Sequence, residues 1–165
     1  MILLLLARLA LRTGEIVRLE LGDIRWREGE IVVRGKGGAK QRLPLPHEVG
    51  VALADYLRRD RPACASRSVF ICLRAPHRGF TSAAGVGSVV SRSLARAELR
   101  PAKRGGHLLR HSLATQLLRA GASMSEIGQL LRHRSAATTE IYAKVDLGSL
   151  RDVAIPWPRS LGGPL

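Results

Sequence analysis

Hydrophobic spacing changes period twice along this chain, after Leu21 and again at Pro46. On either side of that stretch the apolar residues fall at helical intervals. Within it lie three short β-prone runs, residues 23–26, 30–34 and 41–45, separated by Glu28-Gly29 and by Gly35-Lys36-Gly37-Gly38. Runs this short, bounded by glycine turns, predict hairpin pairing and a small three-stranded antiparallel sheet. The expected fold class is therefore mainly α with that sheet, an α+β arrangement.

Residues 2–11 are strong helix formers that end at Arg12-Thr13-Gly14, where Thr and Gly favour a break. A second helix is expected over residues 15–21. After Pro46, Val49, Leu53 and Leu57 mark one apolar face up to a break at residues 58–62. Residues 63–80 read as loop, with one extended piece at Val69-Phe70-Ile71. Residues 82–97 form a helix with Val86, Val89, Val90 and Leu94 on one side, and residues 100–106 a basic linker. Residues 107–120 are expected to be helical, with Leu113, Leu117 and Leu118 in the core and Gly121 as the stop. Ser123 and Glu126 make a capping-box pattern for a following helix whose Ile127, Leu130 and Leu131 point inward. Residues 138–145 make one more helix, carrying Tyr142. Beyond Ile155, three prolines point to an extended or disordered tail. A chain of 165 residues supports one sizeable core, so one domain is expected over residues 1–153, with a tail at 154–165.

Charge is where composition becomes informative. Lys and Arg number 27 against 13 Asp and Glu, a formal net charge of +14. Such a surplus points to a polyanionic partner, nucleic acid foremost, because each neutralised phosphate releases counterions. An anionic membrane surface and a merely Arg-rich composition remain open on charge alone. The apolar start is interrupted by Arg8 and Arg12, lacks a basic leader and falls far short of membrane-spanning length. It reads as a buried helix, and no membrane partner is expected. Cys64 and Cys72 do not form a close Cys-x-x-Cys pair, which suggests two free thiols in a reducing cytoplasm.

Several residues carry chemistry of their own. Arg12 ends an apolar helix, where a cation also complements the helix dipole. Lys36 lies in a glycine-rich turn whose basic residues are either solvated or able to reach a phosphate on a flexible arm. His107, Arg110 and His111 have i, i+3, i+4 spacing, which gathers them on one helical face. His107 and His111 superficially match a zinc-protease helix, but Leu108 stands where its general-base Glu belongs, so no metal site is expected. His133 reads as a helix cap or a catalytic group, and Tyr142 as packing or a nucleophile. Singly, none decides.

Together they form a pattern. Leu9-Ala10-Leu11-Arg12-Thr13-Gly14-Glu15-Ile16, Gly35-Lys36-Gly37-Gly38, His107-Leu108-Leu109-Arg110-His111, Leu130-Leu131-Arg132-His133-Arg134-Ser135 and Thr138-Thr139-Glu140-Ile141-Tyr142 resemble the tyrosine recombinase (phage integrase) family, in order and approximate spacing, up to Asp146. The resemblance implies a catalytic domain that recombines double-stranded DNA without a cofactor, in the cytoplasm at the nucleoid, assembled with other recombinase subunits as a tetramer. It implies six site residues. Tyr142 matches the nucleophile, Arg12 and Arg110 the phosphate-binding pair, and Lys36 the general acid. His107 matches the group assisting proton transfer, and His133 a hydrogen-bond donor to the phosphate. His111 is left a supporting role. Ala10 departs from the Gly frequent in the family at that position. The family's preceding DNA-clamping domain has no counterpart here, so the chain is expected to be truncated, and a DNA-binding fragment with impaired catalysis is the alternative reading.

Overall fold

The N-terminal leucines leave no polar face for water, and they fill the middle of the first of two compact units, Met1–Leu113 and Ala114–Leu165. The computed structural model describes residues 1–35, 37–101 and 105–132. Helix α1 (Ile2–Arg8) buries Ile2, Leu5 and Leu6. Each fully enclosed leucine contributes about 2 kcal/mol through removal of apolar surface from water. The helix ends three residues short of the expected bound, because Ala10 takes a positive φ of 48°. Leaving the helix lets the consecutive Leu9, Ala10 and Leu11 all be buried. A continued helix, turning about 100° per residue, would spread them around its circumference.

Helix α2 (Thr13–Arg18) starts two residues earlier than expected, and its N-cap Arg12 is extended. Thr13 and Gly14, which read as a break in the sequence, are its first turn. The helix also stops at Arg18 rather than Leu21, and a 3-10 turn, Leu21–Asp23, leads into the sheet. Strands β1 (Ile24–Arg25), β2 (Glu30–Arg34) and β3 (Lys40–Pro44) pair antiparallel in the order β1-β2-β3, as the sequence predicts. Ile31 lies opposite both Ile24 and Leu43. Ile31 and Val33 share a face and join the core, while Val32 opposite Arg42 and Arg34 opposite Lys40 lie on the other.

Helix α3 (His47–Asp55) buries Val49 and Leu53 and runs into a π-helical turn, Tyr56–Asp60. In that wider turn Leu57 is only partly buried against the core. Tyr56 packs on Phe70 with ring centroids 5.2 Å apart, and its hydroxyl donates to the Val69 carbonyl at 3.4 Å. Burial holds this phenol above its ordinary pKa. The extended piece expected at residues 69–71 is instead bent at Val69 and Phe70, between isolated bridges of Ser68 with Glu20 and of Ile71 with Gly79, and the Val69 amide donates to the Leu19 carbonyl at 2.9 Å. Helix α4 (Ala83–Arg96), with Ser82 as N-cap, buries Val86 and Val90 and packs on α1 and α2.

Helix α5 (Gly106–Arg119) differs from its sequence reading in what it buries. Leu113, Leu117 and Leu118 are only partly covered, whereas Arg110 and Ala114 are buried. Gly121, at φ 90°, ends the helix as expected, and the Ala122 amide donates back to the Leu117 carbonyl at 3.0 Å. Helix α6 (Met124–Leu130) is closed at its start by Ser123 and Glu126. Ile127 and Leu131 are fully buried, but Leu130 is 43% exposed. Neighbouring residues point about 100° apart on a helix, and Leu131 takes the place on the apolar stripe. The helix expected at 138–145 and the tail expected at 154–165 lie outside the described residues. Among the described residues no helix is long and apolar enough to cross a membrane.

Candidate active site

Arg12 owes its position to the start of α2. Glu15, three residues on and 2% exposed, accepts the Arg12 backbone N–H on one carboxylate oxygen at 2.8 Å. Its other oxygen accepts from Arg12 Nη1 at 3.1 Å. A buried carboxylate thus grips one guanidinium nitrogen, while the Arg12 side chain keeps 39% of its surface in solvent. The planar fork of a guanidinium suits the oxygens of a phosphate.

A segment about a hundred residues later in the sequence meets this corner. Arg110 is buried, and its Nη1 donates to the Ala10 carbonyl. The positive φ of Ala10 therefore does two things: it ends α1, and it belongs to a peptide whose carbonyl receives the arginine of α5. One turn before Arg110, Gly106 starts α5 so close to Thr13 that a Cβ on it would collide with the Thr13 methyl. The absence of a side chain at 106 is what lets α5 begin against the first residue of α2. His107, next to that contact, is exposed. Arg12, His107 and Arg110 are thus carried by two elements that touch through Gly106 and Thr13 and through Arg110 and Ala10.

The β2–β3 hairpin is tied to the other end of α2. Arg34 Nη2 donates to Asp23 Oδ1 at 2.8 Å and to Glu20 Oε2 at 3.2 Å. The Arg34 carbonyl accepts from Arg18 Nε at 3.3 Å and Nη2 at 3.2 Å. Hydrogen bonding to Arg34 holds the Glu20 carboxyl below its ordinary pKa, and the same bond raises that of Arg34. Lys36, His133 and Tyr142 lie outside the described residues. Among the described residues no group of three or more His, Cys, Asp or Glu gathers to hold a metal ion.

Residues 1–148 match the model of the phage integrase family. The chain belongs to that family. Among phage integrase relatives, y4rA of Sinorhizobium fredii, provisionally named an integrase/recombinase, is 55% identical over 156 residues, covering 94% of this chain and 38% of its own length. The tyrosine recombinase XerD of Mycobacterium tuberculosis is 36% identical over 147 residues, covering 86% of this chain and 46% of its own. The crystal structure of XerH bound to its palindromic difH substrate, a post-cleavage complex, superposes with a TM-score of 0.74 at 26% identity, covering 94% of this chain and 44% of that one. The chain therefore spans less than half the length of each of these phage integrase relatives.

Sequence reading misses three parts of the corner. Glu15 reads only as the start of a helix, although its spacing from Arg12 is that of a capping glutamate at the third helical position. Gly106 reads as linker. No sequence signal marks the carbonyl of Ala10 as the acceptor for Arg110, because backbone acceptors carry no residue identity.

Proposed function

We propose that this chain supplies the catalytic region of a site-specific DNA recombinase that cuts and rejoins double-stranded DNA through a 3′-phosphotyrosyl intermediate on Tyr142. The phenol oxygen of Tyr142 attacks the phosphorus as the P–O5′ bond breaks. The electron pair leaves on the 5′ oxygen, which takes a proton from Lys36, and the phenol proton passes toward His107. A free phenol has a pKa of about 10, so it needs this cationic surrounding to react. Arg12 and Arg110 donate to the nonbridging oxygens, where negative charge grows in the transition state, and His133 adds a further hydrogen bond. The phosphotyrosine stores the energy of the broken bond, and attack by a 5′ hydroxyl returns it to DNA.

The observation that carries this reading is the meeting of α5 with the Ala10 to Thr13 segment, where the two arginines matching the family pair stand on elements in direct contact. The chain's other tyrosine, Tyr56, is half-buried, donates to Val69 and has its pKa raised, which suits packing rather than attack. The net charge of +14 and the XerH site-specific recombinase bound to its palindromic difH substrate support a duplex partner. Assembly with further recombinase subunits on two duplexes is part of the same proposal.

A duplex nicked beside the cleavage point traps the covalent adduct, because the short 5′ product diffuses away. Native protein should give a protein–DNA band stable to denaturant, Tyr56→Phe should keep it, and Tyr142→Phe should abolish it. An adduct that survives in Tyr142→Phe sinks the assignment. Salt-sensitive binding without any adduct replaces the reading with that of a DNA-binding module.

A further inference from the structure

Residue 34 is held at both its side chain and its backbone. Its guanidinium bridges Glu20 and Asp23, and its carbonyl is gripped by Arg18, the last residue of α2. The acidic side of this clasp is itself fixed. Asp23 is buried, and its second oxygen accepts the Glu20 amide at 2.9 Å. The Leu21 amide donates to the Arg67 carbonyl at 2.8 Å, so the segment bearing both carboxylates is pinned from its far side.

The commitment is costly in a chain this basic. Two of thirteen acidic residues serve one arginine that ends a strand. An arginine left free here would face the same polyanion as its neighbours, whereas the clasp turns it inward, with 29% of its side chain exposed. The turn beyond Arg34 is built to bend. Gly37 and Gly38 take φ of 89° and 80°, and the Gly35 amide closes the hairpin on the Ala39 carbonyl at 2.8 Å. The base is held, and Gly37 and Gly38 lie in a left-handed region that glycine adopts without steric cost. Because Arg12 caps one end of α2 and Arg18 holds Arg34 at the other, a helix of six residues, about 9 Å long, separates the two attachments.

We propose that Arg34 is a positioning residue: clasped by Glu20, Asp23 and Arg18, it fixes the base of the turn from which Lys36 gives its proton to the leaving 5′ oxygen. This rests on the recombinase reading, and it assigns a task to a cluster outside the six matched residues. Lys36 is the group that acts, and Arg34 acts through it.

The test compares two nicked duplexes, one ordinary and one with sulfur replacing the bridging 5′ oxygen. A thiol has a pKa of about 8.5, so the sulfur leaves as a thiolate and needs no general acid. Arg34→Met should slow adduct formation on the oxygen substrate about tenfold or more and leave the sulfur substrate unchanged, the pattern also expected of Lys36→Ala. The double variant Glu20→Gln, Asp23→Asn, which keeps Arg34 and loosens its partners, should show the same selectivity and serves if Arg34→Met fails to fold. Equal slowing on both substrates assigns the clasp to folding alone and overturns the proposal, as does an unchanged rate on oxygen. If the native chain forms no adduct with either substrate, it is the recombinase reading that fails, and this inference falls with it.

Discussion

Helices α2 and α6 begin with the same local device and put it to different uses. In each, a glutamate at the third helical position reaches back to the N-cap amide, Glu15 to Arg12 and Glu126 to Ser123, both at 2.8 Å. At α6 the exchange is reciprocal, because the Ser123 hydroxyl also accepts the Glu126 amide at 3.2 Å. At α2 it is one-sided, because a guanidinium has no acceptor to offer. Glu126 stays exposed, while Glu15 is buried and takes a second bond from the Arg12 guanidinium. A cap made of serine and glutamate serves its own helix. One made of arginine and glutamate leaves the helix end less complete and fixes the direction of a cation instead.

Glu15→Gln should break this contrast most severely. The glutamine keeps the length but loses the charge that holds Arg12, so stability should fall by about 2 kcal/mol in denaturant titrations. Misdirection of Arg12 should also reduce adduct formation about a hundredfold. A variant that is less stable but cleaves normally would show Glu15 to be a cap and nothing more. Ser123→Ala comes next: about 1 kcal/mol of stability lost with the cap, and adduct formation per folded molecule unchanged. The smallest effect is one of pH. Hydrogen bonds from Ser123 hold the Glu126 carboxyl below its ordinary pKa. Its contribution to stability is therefore complete above that ordinary value and fades as pH falls through the lowered one. Acid titration of the native protein and of Ser123→Ala should bring their stabilities closer together across that window. A constant gap would mean that Ser123 stabilises the helix without acting on the carboxylate.

The same pair shows why one end of the sequence is easier to read than the other. Ser123-x-x-Glu126 announces a helix start, because serine at an N-cap has a mechanism that depends on residue type. Arg12-x-x-Glu15 announces nothing of the kind, and the sequence reads as breaking where α2 begins. The three strands are legible from alternation and glycine turns, and Gly121 from its place after an apolar run. The burial of Arg110 in preference to Leu113, Leu117 and Leu118 is not, since helical spacing alone treats leucine as the inward residue. What turns Arg110 inward is a backbone carbonyl presented by Ala10, and that depends on a φ value no side chain advertises. Of the six matched residues, the spacing of His107 and Arg110 places them on one helix, but does not tell that one is exposed and the other buried.

The outer strand of the small sheet has a bearing on self-association. Strand β3 ends the order β1-β2-β3, so among the described residues one side of its backbone has no paired strand. Its Lys40, Arg42 and Pro44 are exposed, two cations that repel a second copy of the same strand and one residue with no amide to donate. At high local concentration, an uncovered sheet edge is where uncontrolled sheet extension starts. The exposed cations and proline of β3 make it a poor partner for itself and oppose aggregation through this edge.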